Sequence, residues 1–308
     1  MNTNMKKHLL IYLKGIAMGA CDVVPGVSGG TIAFITGIYE RLINAIKSIN
    51  GSNLKLFFTG HIRECWKNID GTFLVCLILG IATSFLSLAK LITWLIAGYP
   101  TMVWAFFFGL IVASTIFIGK KVDWNWKTVL AFLLFAVLSF FITSPENAPL
   151  NSDNALWYIF ICGAVAICAM ILPGISGSFI LLLLGEYFFM MDAISSLNLI
   201  AILVFMAGAV IGILSFANLL SWLFKHFEMI TLAALSGFMF GSLNKVWPWK
   251  LTLDTYIDKH GTVTPLTQKN ILPAMDSSFV AALLLVAAGV ILVLALERVA
   301  DRKNKAEA

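Results

Sequence analysis

Long apolar runs separated by short polar breaks dominate the chain, and a spanning helix needs about 20 mostly apolar residues. Six runs qualify: 72–97, 101–119, 127–143, 197–223, 229–246 and 277–296. Two further apolar stretches, about 9–47 and 155–191, differ because a Pro-Gly-x-Ser-Gly sequence interrupts each one. Proline removes a backbone donor and clashes with the preceding turn, and glycine permits non-helical backbone. Each stretch is therefore predicted to be a broken helical hairpin.

Basic residues set the orientation of these elements. Lys6, Lys7 and Lys14 precede the first broken stretch, and Arg41, Lys47, Lys55, Arg63 and Lys67 follow it. Positive flanks mark the cytoplasmic side, so this stretch starts and ends there and is re-entrant. Lys120, Lys121 and Lys127 mark the next return, and the acidic loop with Glu146 and Asp153 lies outside. Glu186 and Asp192 flank the second broken stretch with no nearby lysine or arginine, so it re-enters from outside. Lys225 and His226, then Arg298, Arg302, Lys303 and Lys305, return the chain inward, which places both termini in the cytoplasm.

Composition agrees with a multi-pass membrane protein. Hydrophobic residues make up 60% of the 308 and charged residues only 12%, against about a quarter in soluble domains. The net charge of +5 sits in clusters beside apolar runs, which is a topology signal and excludes a nucleic-acid groove. Cys21, Cys65, Cys76, Cys162 and Cys168 are odd in number, form no CxxC pair and lie mostly in apolar segments as small hydrophobes. His8, His61, His226 and His260 lack metal-ligand spacing, so no metal and no cofactor are expected. The opening 21 residues resemble a lipoprotein signal, but Lys14 interrupts the apolar run, and the segment is expected to stay uncleaved. Residues 50–70 read either as an amphipathic segment on the cytoplasmic leaflet or as a solvated connector. Loop 247–276 is polar and without clear pattern.

An internal repeat organises the rest. Pro25-Gly26-Val27-Ser28-Gly29-Gly30 matches Pro173-Gly174-Ile175-Ser176-Gly177-Ser178, and Gly37-Ile38-Tyr39 matches Gly185-Glu186-Tyr187. Gly80 to Ser114 aligns without gaps onto Gly208 to Ser242, with identities that include Gly80, Trp94, Gly109 and Ser114. The chain is thus expected to be an all-α integral membrane protein of two repeats, 1–150 and 151–308. Each repeat is a re-entrant hairpin plus three spans, and three being odd, the repeats are inverted.

Irregular backbone at membrane depth leaves polar groups that need partners. After each break a half-helix begins, near Gly29 and near Gly177, and its first N–H groups carry the positive end of a dipole. Two such ends converging on one point suit an anion, phosphate above all. Pro25, Gly26, Gly29, Gly30, Pro173, Gly174 and Gly177 shape the breaks, while Ser28, Thr31, Ser176 and Ser178 add hydroxyls. The competing reading is a kink that lets helices pack closely. Lys90, inside a span, either pairs with the substrate anion or snorkels outward. Asp22 either caps the first break or carries a coupling proton. Glu40 and Glu186 fall near the interfaces, where a solvated role competes with binding, and Arg41 is placed to attract anionic headgroups.

Asp22-Val23-Val24-Pro25-Gly26-Val27-Ser28-Gly29-Gly30-Thr31 with Gly37-Ile38-Tyr39-Glu40-Arg41 resembles the opening motif of a bacterial membrane family. The members of that family, formerly a domain of unknown function, are regarded as polyprenyl-phosphate (undecaprenyl-phosphate) transporters. Leu172 to Ser178 with Gly185-Glu186-Tyr187 is similar to the second motif, and Phe107 to Ser114 to a third. The resemblance implies a non-enzymatic flippase in the bacterial cell membrane. Its partner is polyprenyl phosphate, returned from the outer to the cytoplasmic leaflet for reuse in cell-envelope polymer synthesis. The residues by themselves support a membrane carrier with an anion site. They leave open a secondary carrier for a small soluble anion and a lipid phosphatase, although no histidine lies near either motif to serve as a base.

Overall fold

The structure is a computed structural model, which describes residues 3–23, 28–144, 155–257, 263–275 and 277–307. The first broken stretch forms α1 (Thr3–Asp22), α2 (Gly29–Ile35) and α3 (Tyr39–Lys47), followed by α4 (Gly51–Phe58) and α5 (Ile62–Asn68). Next come α6 (Gly71–Ser87), α7 (Ala89–Gly98), α8 (Pro100–Gly119) and α9 (Trp126–Thr143). The second broken stretch forms α10 (Leu156–Ile171), α11 (Gly177–Leu183) and α12 (Tyr187–Ser195). The long α13 (Leu199–Ser242), strands β1 (Lys250–Ile257) and β2 (Val263–Asn270), and α14 (Ser277–Glu307) complete the chain.

Local chemistry explains several boundaries. Asn50 caps α4 by accepting from the Asn53 amide at 3.0 Å. Asn125 and Thr128 form a capping box at α9, and Pro100 occupies the first turn of α8. Both hairpin turns use a left-handed glycine, Gly37 (φ 69°) and Gly185 (φ 77°). Their closures match: the Ile38 amide donates to Ala33 O at 2.9 Å, and the Glu186 amide to Leu181 O at 3.0 Å.

Among the described residues, four helical segments are each long and apolar enough to cross a membrane: Pro100–Gly119, Trp126–Thr143, Leu199–Ser242 and Ser278–Ala295. Counting bent helix pairs as spans raises the number to six. The single span expected over 72–97 is corrected to two helices interrupted at Leu88. Thr83 and Ser87 hydroxyls bond back to the carbonyls of Leu79 and Thr83 there, which competes with regular helix.

The two spans expected over 197–223 and 229–246 lie within Leu199–Ser242, a segment of two helices that meet at a kink. Its one non-helical residue is Phe227 (φ −140°, ψ 47°). Tyr99, the repeat counterpart at the α7–α8 joint, has almost the same backbone (φ −137°, ψ 54°). The joint therefore recurs where the sequence repeat places it.

Helices are joined to an antiparallel hairpin in which Lys250 pairs with Asn270 and Ile257 with Val263, an addition to the all-α expectation. The acidic loop with Glu146 and Asp153, and His260, lie outside the described residues.

The chain divides into two compact units, Met1–Thr93 with Pro149–Thr231, and Trp94–Ala148 with Leu232–Ala308, so each draws on both sequence halves. In the first unit α1 meets α6, where Gly15 abuts the Leu77 carbonyl and Gly80 the Tyr12 carbonyl. α10 meets α13 through the repeat-equivalent contacts, Gly163 on Phe205 and Gly208 on Phe160. In the second unit Gly109 abuts Val286, Gly289 abuts Phe106 and Gly237 abuts Phe132. Small residues at these seams let backbones touch, the usual packing of helices in lipid. Gly208→Leu should lower stability in detergent by about 1–3 kcal/mol through overpacking. Gly51→Ala, which meets nothing within 4 Å, should leave it unchanged. Thermal unfolding of the two purified variants checks this.

Candidate functional site

The two breaks meet within the first unit. α2 begins at Gly29 because Ser28 has extended backbone (φ −115°, ψ 133°) and its Oγ accepts from the Gly30 amide at 3.1 Å. Across the break, Asp22 Oδ1 accepts from the Gly29 amide at 2.6 Å. The Thr31 amide donates to Ser28 O at 2.9 Å. The first end thus holds its own N–H groups, and the expectation that it presents them free is corrected: Asp22 and Ser28 already occupy them. The carboxylate spans the gap as a cap.

Two hydrogen bonds tie this break to the second. Ser28 Oγ donates to the carbonyl of Met170, the repeat counterpart of Asp22, at 2.9 Å. The Gly174 amide donates to Thr31 Oγ1 at 3.0 Å. Gly30 makes the approach possible, since a Cβ there would lie 2.5 Å from the Ile171 carbonyl oxygen. Ser28, Gly29, Gly30, Thr31, Pro173, Gly174 and Ser176 are all buried.

The second break is built differently. Gly174 turns the chain with φ 91°, and Ser176 (φ −99°, ψ 132°) precedes α11. The Ser176 hydroxyl bonds Ser178 Oγ at 2.8 Å instead of capping a backbone amide. Among the described residues no acceptor meets the Gly177 or Ser178 amide, and Ser178 is exposed. A Cβ on Gly177 would lie 2.8 Å from the Ala166 carbonyl oxygen.

The remaining predicted residues stand elsewhere. Pro25 and Gly26 lie outside the described residues, as does the side chain of Lys90, whose backbone is in α7. Glu40 is exposed in the first turn of α3. Arg41 makes a two-pronged ion pair with Asp70 at 2.6 and 3.1 Å and lies over the Phe73 ring. Glu186, for which a solvated role and binding were both open, is fully buried, which removes the solvated alternative; the turn after Gly185 folds it inward toward Cys162.

Three polar features escaped the sequence reading. Lys14 Nζ donates to the Thr36 carbonyl at 2.7 Å, complementing the C-terminal end of α2; its charge inside an apolar run was the available signal. Lys47 donates to Ser221 Oγ, which donates to Asn44, tying α3 to α13. In the second unit, Lys250 lies 3.7 Å over the Trp104 ring beside Lys245 and Asn270. Burial lowers the Lys245 ammonium to about 8, and burial together with the Lys245 charge pushes Lys250 well below the usual lysine range. Nothing in the polar loop marks Lys250 for burial, whereas Lys245 lies at the end of the expected span 229–246, where its charge was an available signal.

Chemically, the meeting point offers hydroxyls, two open amides and one carboxylate already engaged. Such donors suit the oxygens of an anion. Among the described residues no group of three His, Cys, Asp or Glu side chains could hold a metal ion.

Known proteins point the same way. A family described as undecaprenyl phosphate translocase-like matches residues 18–264. A Vibrio cholerae serotype O1 protein named polyprenyl-phosphate transporter is 45% identical over 303 residues, covering 96% of this chain and 98% of that one. A Staphylococcus aureus protein of the same name is 33% identical over 253 residues, covering 77% of this chain and 85% of that one. No solved structure matches. With both Pro-Gly breaks inside the matched region and a relative aligned almost end to end, the chain belongs to the undecaprenyl phosphate translocase-like family.

Proposed function

We propose that this protein is a non-enzymatic lipid carrier of the bacterial cytoplasmic membrane. It moves undecaprenyl or another polyprenyl phosphate from the outer to the cytoplasmic leaflet for reuse in envelope polymer synthesis. The relatives named polyprenyl-phosphate transporter support the substrate. The observation that carries the site is the pair of hydrogen bonds between the breaks, Ser28 to Met170 and Gly174 to Thr31.

In this reading the two repeats are inverted, both broken elements are re-entrant and both termini are cytoplasmic. The headgroup enters between the breaks while its tail stays in lipid. Phosphate oxygens take over the Ser28 and Thr31 hydroxyls and the Gly174, Gly177 and Ser178 amides. Hydrogen bonds to a charged group contribute about 1.5–3 kcal/mol each, so four or five offset a desolvation cost of several kcal/mol. Lys90 adds a compensating cation, and Arg41 and Glu40 stand near the cytoplasmic exit.

A leaflet assay in cells tests this. Loss of the protein should raise the polyprenyl phosphate exposed at the outer surface, and Lys90→Ala should do the same. Unchanged surface lipid, with impaired uptake of a labelled soluble anion instead, would replace this reading with the small-anion carrier.

A further inference from the structure

The 50–70 insert has no counterpart in the second repeat, so whatever it does belongs to one side of the protein. α4 and α5 expose Leu54, Phe57, Phe58, Ile62 and Trp66, and α6, a 17-residue apolar helix, starts directly after them. Between α5 and the first turn of α6 lies a groove of about 350 Å³ lined by Arg63, Trp66, Lys67, Asp70, Gly71 and Thr72. Ligand sites span roughly 300–1,000 Å³, so the groove admits a headgroup-sized molecule.

Its floor is fixed. The Trp66 indole packs on Gly71, where a Cβ would lie 2.5 Å from the ring, and its Nε1 donates to Thr72 Oγ1 at 3.0 Å. The Thr72 hydroxyl keeps its own proton to donate. Asp70, the acid in the lining, is taken by Arg41. Arg63 and Lys67 are one helical turn apart on α5, and among the described residues neither has an ion-pair partner. Glu64, the other acid of α5, is not part of the lining. The groove is therefore net positive and rimmed by an indole. Exposed apolar side chains that need lipid lie on α4 and at the start of α5.

We propose that Arg63, Lys67, Trp66 and Thr72 form a binding site for the phosphate of an anionic phospholipid headgroup, with Leu54, Phe57, Phe58 and Ile62 seated in the adjoining leaflet. The acyl chains lie beside these side chains, and the guanidinium and ammonium meet the phosphate oxygens from one face. A tryptophan at headgroup depth suits this position. The site stands apart from the two breaks and does not depend on the transport reading.

Native mass spectrometry of the full chain in detergent, with added phosphatidylglycerol or phosphatidylcholine, tests it. Wild type should retain phosphatidylglycerol about tenfold better than Arg63→Gln/Lys67→Gln, with Lys67→Gln alone intermediate and phosphatidylcholine retained equally by all. Lys6→Ala/Lys7→Ala removes the same charge elsewhere and should bind phosphatidylglycerol as wild type does. Equal retention by the double Gln variant overturns the proposal, as does an equal loss in the Lys6/Lys7 variant. Displacement of the lipid by an equal concentration of inorganic phosphate overturns it too, by making this a free-anion site. Matched thermal unfolding in phosphatidylcholine confirms that the exposed substitutions leave the fold intact.

Discussion

Asp22→Ala is expected to reduce polyprenyl phosphate translocation in reconstituted vesicles by about 5- to 150-fold, whereas Asp22→Asn retains most of it. The carboxylate accepts the Gly29 amide at 2.6 Å across the break. Without an acceptor, that buried N–H loses about 1–3 kcal/mol, a factor of roughly 5 to 150 in the population of the ordered break. An Asn Oδ1 accepts the same bond, so it preserves the cap while removing the titratable group. Loss of transport in Asp22→Asn equal to that in Asp22→Ala would make Asp22 a proton carrier instead.

Gly30→Val is the second large effect. Its Cβ would lie 2.5 Å from the Ile171 carbonyl oxygen and 3.1 Å from Ser28 Oγ. The first of these is backbone and cannot swing aside, so the breaks must separate and the bonds from Ser28 to Met170 and from Gly174 to Thr31 are lost. Overpacking costs about 1–3 kcal/mol, within the tolerance of many folds, yet translocation should fall to the protein-free rate. The counterpart Ser178 is exposed, so Ser178→Val should leave the thermal unfolding temperature unchanged. The vesicle assay and thermal unfolding, run on both variants, separate loss of the site from loss of the fold.

Apolar run lengths anticipated α8, α9 and the Ser278–Ala295 span of α14 closely, because a helix in lipid must satisfy its backbone internally and so shows its length directly; the polar extension of α14 to Glu307 lay beyond the run. The repeat also anticipated a feature no run shows, the shared backbone at Tyr99 and Phe227. The interruption at Leu88 was hidden, because serine and threonine back-bonding depends on rotamers that sequence does not reveal. At the site, Pro-Gly-x-Ser-Gly marked both breaks and Asp22 was legible as a cap. That Ser28 spends its hydroxyl on the Met170 carbonyl was not legible, since the acceptor is backbone from the other repeat. The burial of Glu186 was not legible, because a charge after a turn usually meets water, whereas this turn folds inward.

Translocation of fluorescent polyprenyl phosphate in vesicles, comparing wild type with Ser28→Ala/Thr31→Val, tests the paired breaks most directly. The double variant removes the two hydroxyls that join them, and with Ser28 Oγ the acceptor of the Gly30 amide. It should retain its thermal unfolding to within a few degrees while moving the lipid no faster than empty vesicles. Translocation at the wild-type rate by that folded variant would contradict a headgroup site between the breaks.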